Sequence, residues 1–190
     1  MANKKWIIVL VVVIAVVGII AGFFVGTYNG LVDLQAGVEG KQAEIQTQLQ
    51  RRADLIPNFV ATVKGYSEYE QSTLQGVTEA RAAVGAADTP QEQAAASAQL
   101  DSAIDIWVNA VTEAYPDLKA NTQYIALQDE LAGTENRIAT ARRDYNEAVT
   151  EYNKSIRKFP RSLLAGMFGF ERAALFEADS DAQDVPEVSF

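Results

Sequence analysis

The chain is 190 residues long, carries 16 basic against 25 acidic side chains for a net charge of -9, and contains neither histidine nor cysteine. That excludes histidine general bases, Ser-His and Cys-His nucleophile pairs, the usual zinc ligand sets and disulfide staples. So acidic a chain is also a poor partner for nucleic acid, whose phosphates it would repel.

The first element is an apolar run. After Lys4 and Lys5, residues Trp6 to Val25 hold no charge, and about 20 residues of helix cross a hydrocarbon layer of about 30 Å. The apolar core of a cleaved signal peptide would be shorter and would end in an A-x-A site, which does not follow Phe23, Phe24 and Val25. Without cysteine there is no lipoprotein route either. Residues 1–27 therefore read as a cytoplasmic stub and a single-pass signal anchor. Lys4 and Lys5 precede the span, whereas Asp33 and Glu39 come before Lys41 on its far side. This asymmetry places the amino terminus in the cytoplasm and the remainder outside. Gly18, Gly22 and Gly26, followed by Gly30, fall in one helical row. Such a row lets two membrane helices meet backbone to backbone, so a homo-oligomer is expected; plain helix flexibility is the alternative.

Residues 28–160 show helical spacing and no period-two alternation. Leu31, Leu34, Val38, Ile45, Leu49 and Ile56 share a face, continued by Phe59, Val63, Tyr66, Val77, Ala80 and Val84. Pro57 leaves two arrangements open. If it reverses the chain the bundle has four helices; if it only kinks the helix, three long ones. Gly85 ends the stripe, and Thr89-Pro90-Gln91-Glu92 spells a capping box that opens a helix with Leu100, Ile104, Trp107, Val111 and Ala114 inward. The Tyr115-Pro116-Asp117 turn stops that helix. A last helix is expected from Asp117 to Phe159, with Tyr124, Leu131, Ile138, Tyr145, Tyr152 and Phe159 in one heptad row. The fold class is all-α, a transmembrane helix followed by an antiparallel up-and-down bundle.

Polar residues interrupt this core. Arg52 occupies an inward position of the first helix, and Glu135 and Arg142 occupy inward positions of the last, where they can satisfy each other or reach Arg52. Helix lengths at about 1.5 Å per residue bring the stretch Arg51 to Asn58 level with Tyr115 to Asn121 in either arrangement. Arg51, Arg52, Asp54, Asn58, Asn121, Glu135 and Arg142 thus form a candidate polar cluster. Asp101 and Asp105 read as an ordinary pair on a solvated face, and no residue reads as catalytic.

Residues 161–176 contain the apolar group Leu163, Leu164, Met167, Phe168 and Phe170. It is expected to cap the bundle, with contact to the membrane or a neighbouring subunit as alternatives. Residues 177–190 carry Asp179, Asp181, Asp184 and Glu187 without a basic residue and read as an acidic tail.

The stretch Gln48-Leu49-Gln50-Arg51-Arg52-Ala53-Asp54-Leu55-Ile56-Pro57-Asn58, followed by Val63-Lys64-Gly65-Tyr66, resembles the signature of the LemA family. Further resemblance lies in Tyr115-Pro116-Asp117-Leu118-Lys119-Ala120-Asn121, in Thr134 to Asn146, in Phe159-Pro160 and in Gly169-Phe170. It implies a single-pass bacterial membrane protein with an up-and-down four-helix bundle, and it implies no reaction. The expected function is a scaffold or adaptor of the bacterial envelope that associates with itself or with envelope proteins, without cofactor. The alternative is an extracytoplasmic ligand-binding or sensor module that uses the polar cluster.

Overall fold

The computed structural model describes residues 2–64 and 71–176. Five α-helices follow in order: α1 Ala2–Lys64, α2 Gln71–Ala86, α3 Pro90–Ala114, α4 Thr122–Arg157 and α5 Arg161–Phe168, with a 3-10 turn at Pro116–Ala120 between α3 and α4. There is no strand among the described residues. Tyr66, the Lys64 side chain with Gly65, and the acidic tail from Glu177 lie outside the described residues.

Pro57 does not reverse the chain. The helix α1 passes through it and continues to Lys64. Proline there removes one hydrogen bond and crowds the preceding turn, a cost of about 3 kcal/mol in a helix interior. Its ring is exposed, while Ile56 and Phe59 on either side are buried, so packing on both flanks holds the helix together. The described part of α1 ends at Lys64 and α2 is described from Gln71, so the bundle has four helices without a reversal at Pro57. This also balances the lengths: Tyr28 to Lys64 and α4 each rise about 54 Å.

The backbone falls into two compact units. The first comprises Met1–Gly40 and Glu147–Ala173. Its apolar stretch from Trp6 to Val25 is exposed, and its core begins with Leu31 and Val38 and takes in Val149, Tyr152, Ile156, Leu164 and Ala165. An exposed, uncharged apolar helix of this length is a membrane span, and the protein is membrane-associated.

The second unit comprises Lys41–Asn146 and Ala174–Phe190. Its helix directions follow from pairs of contacts. Lys41 pairs with Asp144, Arg51 with Glu130, and Phe59 with Tyr124; partners fall in number as α1 rises, so α4 runs antiparallel to it. Arg52 pairs with Asp101 and Phe59 with Trp107, which makes α3 parallel to α1. Asp54 meets Arg81 at 3.7 Å, a return that only an antiparallel α2 allows. The sequence of directions is up, down, up, down.

An aromatic knot anchors one level of this unit. The Phe59 ring lies 5.1 Å from both the Trp107 and the Tyr124 ring, edge-on to the first and tilted on the second. Gln128 donates to the Tyr124 hydroxyl, which meets Thr112 Oγ1 at 2.8 Å; that hydroxyl in turn donates to the Val108 carbonyl. The polar end of the tyrosine is thereby satisfied, as burial requires. The turn before α3 is the expected capping box: Thr89 Oγ1 accepts from Glu92 N at 3.2 Å, and Glu92 Oε2 accepts from Thr89 N at 2.9 Å. Those bonds from Thr89, with one from Asp88, hold the Glu92 carboxyl below the usual range.

Two edges differ from expectation. Asp117 does not begin the last α-helix, because Pro116–Ala120 form a tight 3-10 turn and α4 opens at Thr122. At the other end α4 stops at Arg157, so no helix carries the heptad to Phe159, which is 81% exposed. Ala114 is also exposed and Leu34 half-buried, whereas apart from these and Phe159 every described member of the expected stripes is buried. Because Pro57 sits in a continuous helix, Pro57→Ala should restore a backbone bond and raise stability by up to about 3 kcal/mol. Denaturant unfolding followed by circular dichroism measures this, and a loss of stability would show that the chain needs the proline to turn.

Candidate functional site

The second unit places a polar group where the heptads demand apolar ones. Arg52 is buried, with Nη2 2.7 Å from Asp101 on α3 and Nη1 on the Glu135 carboxylate of α4. Burial pushes the Arg52 guanidinium down, opposed by Asp101 and Asp105 and reinforced by Arg142. Burial likewise lowers Arg142 and raises the Asp101 carboxyl, against the pull of Arg52 and Arg142. Desolvation thus weighs against attraction throughout, and the pairing fixes which residues face each other more than it adds stability. The Nε of Arg52, Nε and Nη2 of Arg142 and Oε1 of Gln48 are buried without a hydrogen bond. Arg52, Asp101, Asp105, Gln128 and Glu135 line a groove of about 530 Å³ floored by Ile104 and Leu131.

The candidate residues separate into distinct places. Arg52 and Glu135 meet, and Arg142 reaches the same charges through Asp101. Arg51 instead bonds Glu130 at 2.7 Å, a carboxylate shared with Arg137. Asp54 takes Gln50 at 2.9 Å and faces Arg81, while Arg51, Asp54 and Asn58 line an open depression on one face of α1. The Asn58 carbonyl accepts from the Thr62 hydroxyl. Asn121 caps α4, its Oδ1 accepting from Gln123 N and Tyr124 N at 2.9 and 3.1 Å, about 20 Å along that helix from Glu135. The two turn motifs therefore do not build one cluster around Arg52: Asn121 stands at the end of α4 where Tyr124 meets Phe59, about two helical turns along α1 from Arg52. Asp101 is likewise not on a freely solvated face: it is the second partner of Arg52.

Sequence reading missed a second pattern, in which two Tyr-Asn pairs a heptad apart hold an extended carboxy-terminal segment. In the first unit Tyr152 donates to the Glu171 carbonyl at 2.8 Å, and Asn153 exchanges two bonds with Ala173, at 2.8 and 3.0 Å. In the second unit Tyr145 donates to the Ala174 carbonyl at 2.9 Å, and Asn146 exchanges two bonds with Phe176, each 2.9 Å. Phe176 is buried edge-on against Tyr145, and the Arg142 guanidinium lies over its ring at 5.7 Å. The available signal was the asparagine that follows each heptad tyrosine.

In the first unit Gly18, Gly22 and Gly26 lie on the exposed apolar helix, and a Cβ built on each meets nothing within 4 Å.

Residues 41–190 match the LemA family. The chain belongs to the LemA family. It is 28% identical to Protein LemA of Metamycoplasma hominis over 87% of this chain and 75% of that one. It is 27% identical to Magnetosome protein MamQ 2 of Paramagnetospirillum magneticum over 93% of this chain and 75% of that one. With Magnetosome protein MamQ of Magnetospirillum gryphiswaldense it shares 24% identity over 85% and 68%. The family match begins beyond the membrane span and takes in Arg52, Glu135, Arg142 and both Tyr-Asn pairs.

Arg52→Ala should cost about 3 kcal/mol, because it strands two carboxylates in a half-buried groove. Adding Asp101→Asn should return part of that loss, and a double-mutant cycle read by denaturant unfolding gives the coupling; strictly additive effects would mean the residues act apart. The Tyr-Asn pairs yield a pH dependence. Burial pushes the Tyr145 and Tyr152 phenols up, with Glu171 and Glu39 adding to the second. A phenol whose folded pKa exceeds the unfolded value of about 10 lends stability that is whole below that pH and lost as pH climbs through the folded value. Stability should therefore fall as pH rises above about 10, and the fall should be shallower in Tyr145→Phe/Tyr152→Phe.

Proposed function

We propose that this LemA-family chain is a non-catalytic scaffold or adaptor of the bacterial envelope. Its amino terminus lies in the cytoplasm and its bundle outside, and it associates with itself through the anchor and with envelope proteins through the bundle. The observation that carries the reading is the row Gly18, Gly22 and Gly26, open to approach along a helix otherwise covered by Val, Ile and Phe. In lipid, where no hydrophobic effect drives helices together, such close backbone approach is what favours pairing. Among the described residues the charges of the core are an arginine set against carboxylates, an arrangement that suits packing. Several relatives are named for the magnetosome and none of these for a reaction, which agrees with a structural role.

A second reading has its own observation. The nitrogens of Arg142 that are buried without a hydrogen bond suit a small polar ligand bound by a sensor module. The two readings part on oligomeric state, since a sensor can work as a monomer.

The experiment is the mass of the full chain in mild detergent. Wild type should be oligomeric, and Gly22→Ile, which adds a branched side chain to the row, should shift toward monomer while still inserting. Equal masses would remove the anchor as an interface. Orientation is read on the same cysteine-free background: an impermeant thiol reagent applied to intact cells should label Thr89→Cys and spare Ala2→Cys, and the reverse pattern would invert the topology.

A further inference from the structure

The short helix α5 has one half that the fold explains and one that it does not. Leu164 and Ala165 are buried, but Leu163, Met167 and Phe168 are 61%, 72% and 53% exposed. Leu163 and Met167 stand four residues apart and so share a face. Where this face sits is fixed by Tyr28. That residue comes three positions after Val25, the last of the apolar run, which is about 4.5 Å of helix and so within the headgroup layer. The Phe168 ring is 4.9 Å from the Tyr28 ring and the Phe170 ring 5.8 Å, both edge-on. All of these residues belong to the first unit, so the level set by Tyr28 holds for the end of α5.

We propose that α5 lies in the headgroup layer of the bilayer that the chain's own anchor spans, with Leu163, Met167 and Phe168 turned into the acyl boundary. The apolar face is continuous in level with the lipid-exposed helix, so its occupant is the membrane already present there. Charge agrees. Lys154, Arg157, Lys158 and Arg161 precede and open α5, all exposed, and no acid occurs from Lys154 to Phe170. In a chain that is acidic overall, this is a local basic edge facing anionic headgroups. Aromatic side chains at the interface, here Tyr28, Phe168 and Phe170, complete the pattern. The chain thus touches the bilayer twice, once through it and once along its surface.

The absence of native cysteine makes the test direct. Full-length Met167→Cys and, separately, Leu163→Cys are labelled with a bimane fluorophore and reconstituted into vesicles of phosphatidylcholine and phosphatidylglycerol. Some of the lipids carry a nitroxide, either near the head of the acyl chain or near its end. Both positions should lose most of their fluorescence to the shallow nitroxide and less to the deep one, and aqueous iodide should quench them little. Strong iodide quenching without nitroxide quenching would put α5 in water. Protection from both would mean that protein, a second copy included, covers the face. Either result overturns the proposal.

Discussion

A peptide group inside hydrocarbon has no partner except another peptide group, and that constraint shapes the chain from its first helix onward. The apolar stretch must be helical to satisfy its backbone, and α1 then continues without a break as far as Lys64. Because the helix is already formed where it leaves the apolar run, the following residues extend it without a new nucleation cost. Pro57 is carried along by this continuity and by the burial of Ile56 and Phe59 beside it.

Within the second unit the core divides its labour by level. At the Phe59, Trp107 and Tyr124 knot, apolar area and a satisfied hydroxyl supply cohesion. At Arg52, cohesion is exchanged for selectivity: a guanidinium between Asp101 and Glu135 tolerates only one axial setting of α1 against α3 and α4.

Much of this was legible in the sequence, and the failures share a cause. Heptad rows identify the core because burial obeys helix geometry, so Leu31, Ile45, Ile104, Ile138 and Tyr145 could be placed without a structure. The capping box at Thr89 was equally plain, since both of its bonds are local. Pro57 could not be settled, because local strain argues for a break and only tertiary packing argues against it. Asn121 was put beside Arg52 in either arrangement because helix lengths align whole segments and do not resolve which residues along them meet. Asp101 looked like a surface acid because an i, i+4 pair carries no information about a partner on another helix. The extended segment at 171–176 was invisible for a further reason: apart from the buried Phe176 ring it is held through its main chain, and main-chain recognition leaves little mark on the side chains being held.

That last point reaches beyond the segment itself. Asn146 and Asn153 each give one hydrogen bond to a residue and take one from it, the reciprocal exchange by which one strand of a sheet holds its neighbour. The two amides act as isolated rungs of a ladder whose other rail is a helix. What the chain must present at Ala173 and Phe176 is therefore an N–H beside a carbonyl in extended geometry. The exposed side chain at Ala174 plays no part in this hold, whereas proline at either rung would erase a donor that no neighbouring group replaces.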